Sequence, residues 1–125
     1  MAKIAPLDPA EDVRLDPRYV QHIVNEMGNA AAGGIIGLAL EQMMQAVRGL
    51  CCDVTSGDMA RVTWQAQRLS RLAGQVGLVS LAEVSADMAD CARRGDQPAL
   101  RAVLARARRV ADLSQRGLRD RVRVM

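Results

Sequence analysis

Residues 58–77 read DMARVTWQAQRLSRLAGQVG. Met59, Val62, Ala66, Leu69, Ala73 and Val76 recur at alternating steps of three and four. That spacing lays a narrow apolar seam along one face of an α-helix, as helices in bundles do. Asp58, or Ser56 just before it, supplies an oxygen for the first turn, and Gly77 stops the helix. The stretch predicts a bundle helix, and it contains neither histidine nor cysteine.

The flanking sequence has the same grammar. Asp16-Pro17 is a helix start, a capping oxygen followed by proline at the first helical position. Val20, Ile23, Val24 and Met27 give that short helix an apolar face, and Gly28 ends it. A longer helix follows to about Cys52, its start blurred by Gly33, Gly34 and Gly37. Ile36, Leu40, Met43, Val47 and Leu50 point inward along it. Residues 53–58 read as a turn. After Gly77, Ser80 and Glu83 have the spacing of a capping box for a fourth helix, with Leu81, Val84, Met88, Cys91 and Ala92 inward and Gly95 at its end. Asp96 caps a fifth, with Pro98 tolerated in its first turn. Leu100, Val103, Leu104, Ala107, Val110 and Ala111 line that helix, which reaches about Leu118. Short connections make successive helices antiparallel. The expected fold is all-α: an antiparallel up-down four-helix bundle with a short extra N-terminal helix. The bundle spans 16–119, after a loose tail of residues 1–15 and before a C-terminal end of 120–125.

Composition agrees. Half of the 125 residues are apolar, yet Trp64 and Tyr19 are the only aromatics. The core must be Leu, Val, Ile, Met and Ala, of which Ala, Leu and Met favour helices, while β-domains lean on β-branched and aromatic residues. The net charge of +3 is unevenly spread: residues 93–123 hold ten arginines against Asp96, Asp112 and Asp120. The last helix is a basic rod, read either as a solvated face or as attraction to an anionic partner. Arg101, Arg106, Arg108, Arg109, Arg116, Arg119, Arg121 and Arg123 point to several sides of it. No aromatics are interleaved for base stacking, so neither nucleic acid nor membrane is the expected partner. Cys51, Cys52 and Cys91, odd in number behind a start without a signal-peptide pattern, suit reduced thiols in a cytoplasmic protein. The longest near-apolar stretch, Ala30–Leu40, is too short to span a bilayer.

Little in the chain is arranged for chemistry. No CxxC or HxxxH spacing occurs, so neither a metal site nor a cofactor is expected. Glu41, Glu83 and Asp87 are scattered rather than paired for acid–base work, and Ser70 has no base beside it on its helix. His22, the single histidine, lies beside Val20 and Ile23, and is read as a structural side chain, with phosphorylation there as the competing reading. The unusual surface lies beside and opposite the seam of residues 58–77, where Trp64, Gln67, Arg68, Ser70, Arg71 and Gly74 fall together. Trp64 there either packs under the N-terminal helix or anchors a partner, since Trp and Arg dominate binding hot spots.

The order of elements and the central segment together resemble the histidine-phosphotransfer (HPt) domain family. Its phosphoacceptor segment reads roughly Ala-His-x-Leu-Lys-Gly-x-Ala-x-x-Leu-Gly. Residues 66–77 here read AQRLSRLAGQVG, matching at Ala66, Leu69, Ala73 and Gly77, with Val76 a conservative change. Ser56-Gly57-Asp58, Leu81, the run Ala92–Asp96, Leu100, and the opening Leu15–Gly28 are similar to the family's punctuation, so the likeness covers about residues 15–115. It implies a short helix packed on a four-helix bundle, and a surface docking receiver or histidine-kinase domains of two-component phosphorelays.

The departures fall on the residues that would do the work. The phosphoacceptor histidine corresponds to Gln67, the lysine three residues on to Ser70, and the glycine after it to Arg71. A glutamine amide nitrogen is not nucleophilic and forms no phosphoramidate. The resemblance therefore implies a degenerate, non-enzymatic HPt-like module that binds a receiver or kinase without accepting phosphate. The alternative is a structural or assembly protein, forming a homodimer or a hetero-complex.

Overall fold

The computed structural model describes residues 13–123, and the part of the expected tail at 1–12 lies outside them. Five helices follow one another: α1 (Pro17–Met27), α2 (Asn29–Ser56), α3 (Met59–Gln75), α4 (Val79–Arg94) and α5 (Gln97–Arg123). There is no strand among the described residues. Helices α2 to α5 form the antiparallel bundle, with α3 against α4 its tightest side and α2 against α5 its loosest. The expected seams are the core. Ile36, Leu40, Met43, Val47 and Leu50 are buried against Val62, Ala66, Leu69, Ala73 and Val76, with Leu81, Val84, Met88, Leu100, Ala107 and Val110 closing the interior. Burying aliphatic side chains this completely is the main source of stability, at about 1.5–3 kcal/mol for each large one.

The predicted caps hold at four helix ends. The Asp16 carboxylate accepts from the Arg18 backbone N–H at 3.0 Å, behind Pro17 at the first helical position. Asp58 accepts from the Arg61 N–H at 3.1 Å, and Asp96 from the Ala99 N–H at 3.2 Å. Gly95 ends α4 in the left-handed conformation.

Several expectations change. The capping box is absent: α4 begins after Leu78 with no side-chain cap. Ser80 and Glu83 instead hold the chain leading into α1. The Arg14 N–H donates to Ser80 Oγ at 2.7 Å, the Ser80 N–H donates to the Arg14 carbonyl at 3.3 Å, and the Arg14 guanidinium pairs with Glu83. Residues this far apart cannot announce such a contact through local spacing, and it removes 13–15 from the expected loose tail. Helix α2 runs to Ser56, so the turn before α3 shrinks to Gly57 and Asp58, with Gly57 left-handed. The same helix starts directly after Gly28 and runs through Gly33, Gly34 and Gly37. Three glycines inside a helix each cost about 1 kcal/mol relative to alanine, an amount the packing of α2 offsets. Helix α5 passes residue 119 and continues to Arg123. Met27, expected on the apolar face of α1, is 54% exposed.

At 28 residues, α2 contains a window apolar enough to cross a membrane by length and composition, unlike the shorter Ala30–Leu40 segment considered alone. Its inward face is occupied by the bundle, through Ile36, Leu40, Met43, Val47 and Leu50. Its outward face leaves Ile35 and Leu38 exposed.

Candidate functional site

Helix α3 turns its seam inward, and its opposite face is therefore outward. Trp64 is 55% exposed there, so it does not pack under α1. Gln67 and Arg71 are exposed on the same crest, at i+3 and i+7 from Trp64. Arg68, Ser70 and Gly74 are half-buried on the flanks. All six residues thus lie on one helix, with three on its crest and three at its margins.

The margins are set by packing against neighbouring helices. The Ser70 hydroxyl donates to the Ala82 carbonyl of α4 at 2.9 Å, which turns it away from the crest. Gly74 lies one turn further along that row, and no atom stands within 4 Å of where a Cβ would be. On the α2 side, a Cβ on Gly49 would stand 2.9 Å from the Gln65 amide nitrogen. That atom is the far end of a flexible side chain, which can shift aside.

The charge of the face is one-sided. From Met59 to Gln75, α3 carries Arg61, Arg68 and Arg71 and no carboxylate. Arg61 is drawn to Asp53 at 3.4 Å, whereas Arg68 and Arg71 form no salt bridge among the described residues. The crest offers an aromatic plane, a neutral amide and a guanidinium to an approaching surface. None of the three is a nucleophile.

Elsewhere, His22 is exposed on α1 and lines a shallow depression with Arg18 and Tyr19. Cys91 is buried, Cys51 half-buried and Cys52 exposed, and all three are free thiols. No three His, Cys, Asp or Glu side chains among the described residues come together as metal ligands would. The Ser70–Ala82 bond was not foreseeable, because nothing local in the sequence says which carbonyl lies across the helix pair.

Helix order and the short helix laid on the bundle are together the fold of a histidine-containing phosphotransfer protein. A similar solved structure is the crystal structure of histidine-containing phosphotransfer protein B (HptB) from Pseudomonas aeruginosa PAO1. It superposes with a TM-score of 0.82 at 17% sequence identity, over 89% of this chain and 96% of that one. At that identity the likeness is one of fold. No protein-family model and no curated protein matches the chain.

Proposed function

We propose that the chain is a non-catalytic, HPt-like module of a two-component phosphorelay, which docks a receiver or histidine-kinase domain through the α3 crest and accepts no phosphoryl group. The observation that carries this reading is Gln67, exposed on the outward crest at the position where the resemblance would put the phosphoacceptor histidine. A carboxamide nitrogen shares its lone pair with the carbonyl and cannot attack phosphorus. The neighbours are consistent with docking rather than transfer. Ser70 spends its hydroxyl on Ala82, and Arg71 adds a cation where the family keeps open space. Arg68 and Arg71 suit the acidic pocket of a receiver, since complementary charge steers association and fixes orientation. Sequestering a response regulator, or bridging it to a kinase, requires no more than this surface.

A phosphotransfer assay with kinase–receiver pairs tests the reading. The expected result is no acid-labile phosphate on this chain, with saturable binding to at least one receiver or kinase domain that is weakened by Arg71→Glu. Acid-labile phosphate lost in His22→Ala would refute it, as would the absence of binding across a broad panel.

The exposed Met27, Ile35 and Leu38 favour a second reading, assembly into a homodimer or hetero-complex. Light scattering separates the two. A dimer that persists on dilution and is split by Leu38→Glu supports assembly through α2, while a monomer supports docking alone.

A further inference from the structure

The loosest side of the bundle, between α2 and α5, is an open seam of about 530 Å3. Its floor is apolar, made by Met44, Val47, Cys51 and Ala111, and its rim carries the exposed Ala105 with Arg48, Arg108 and Arg109. These three arginines are exposed and form no salt bridge among the described residues. The one carboxylate lining the seam, Asp112, is held by Arg116 at 2.5 Å. The same two helices part again further along, in an opening of about 240 Å3 that includes Gly37, Leu40, Val122 and another arginine, Arg119. The two openings are separate, with residues 41–43 of α2 lining neither, and both lie within the roughly 27 Å of α2 between Gly33 and Cys51, at about 1.5 Å per residue.

We propose that this seam is a docking groove for an acidic amphipathic helix of a partner protein. An elongated, apolar floor accepts aliphatic side chains spaced three and four apart, as helix-in-groove recognition requires. The rim then sets the charge of the occupant. A purely apolar helix would desolvate guanidiniums without giving them partners, which is costly. A helix with Glu or Asp flanking its apolar stripe supplies those partners as it buries the stripe. The shape disfavours a membrane, because helices that insert into an interface present a convex apolar face rather than a concave one. Single-stranded nucleic acid is disfavoured because Tyr19 and Trp64, the chain's aromatics, are not among the residues lining the seam. No residue of α3 lines either opening, so the groove is separate from the α3 crest and both surfaces can be occupied together.

The test uses the full chain and three fluorescein-labelled 18-residue peptides: one with leucines at helical spacing flanked by glutamates, its scrambled form, and a form with lysine at each glutamate. Fluorescence anisotropy is expected to show binding of the first peptide, weakening as salt rises. The other two should bind at least about tenfold more weakly, as should the first peptide to Arg48→Glu/Arg108→Glu. Ala105→Trp, which sets an indole at the mouth of the seam, should block binding, and Arg71→Glu should leave it unchanged. Circular dichroism and melting confirm that each variant is folded, with Arg48→Gln/Arg108→Gln as the milder pair. The proposal is overturned if the scrambled peptide binds as tightly, if groove variants bind normally, or if Arg71→Glu abolishes binding. Preferential binding to anionic phospholipid vesicles or single-stranded RNA over the peptide would overturn it too.

Discussion

Ser70 and Ala82 join α3 to α4 through a hydrogen bond, the serine hydroxyl donating to the alanine carbonyl at 2.9 Å. The bond faces sideways, one turn from the exposed Gln67. It separates what holds the bundle together from what the bundle displays. Ser70→Ala should lower stability by about 0.5–1.5 kcal/mol, measured by urea unfolding, with the slope of the transition unchanged. On the proposed function, converting the crest to Gln67→His/Ser70→Lys/Arg71→Gly gives a chain that acquires acid-labile phosphate from a phosphorylated receiver, while the parent stays unlabelled.

Trp64 and Leu69 make the same division measurable. Leu69 is fully buried in the seam, and Trp64 is more than half exposed. Leu69→Ala should cost about 2–5 kcal/mol through lost burial and the cavity left behind. Trp64→Ala should stay within about 0.5 kcal/mol of the parent, as surface changes generally do, and should lose affinity for the docking partner. Paired denaturation and binding measurements check both.

Gly77 predicts a severe backbone effect. Its φ is +80°, and an added Cβ would lie 2.3 Å from the Asp16 carbonyl oxygen and 3.3 Å from the Tyr19 ring. The Asp16 N–H also donates to the Gly77 carbonyl at 2.8 Å, so the two backbones are locked together. Gly77→Ala should destabilise by more than the roughly 1–2 kcal/mol of left-handed strain alone, seen as a clear drop in Tm. Gly34→Ala is the opposite case. It lies inside α2 with nothing within 4 Å of the new carbon, and should stabilise by about 0.4–1 kcal/mol.

Asp16 predicts a pH dependence. The hydrogen bonds it accepts from the Arg18 side chain, then from the Arg18 backbone N–H, lower its pKa below that of an ordinary carboxylate. Its contribution is therefore full above the unfolded-state carboxylate pKa, about 4, and is lost as pH falls through the lower folded value. Acid should loosen α1 first. Asp16→Asn, which keeps a capping oxygen, should remove this part of the pH dependence and leave the cap in place. Amide exchange at Arg18 between neutral and acid pH checks it.

The helices, their seams and most of their ends were legible in the sequence, because each is written in contacts three or four residues apart. The seam from Met59 to Val76 is the clearest instance, and its outward positions follow from the same arithmetic. That is why Trp64, Gln67 and Arg71 could be placed on one crest before any fold was known. Asp16, Asp58 and Asp96 cap their helices for a reason equally local, an oxygen beside unpaired N–H groups. Only the tertiary structure decided that Ser80 and Glu83 hold Arg14 rather than cap α4, that Ser70 turns to Ala82, and that α2 and α5 make the loosest pairing of the bundle. Each of these joins residues distant in the chain, through packing geometry that no local spacing encodes.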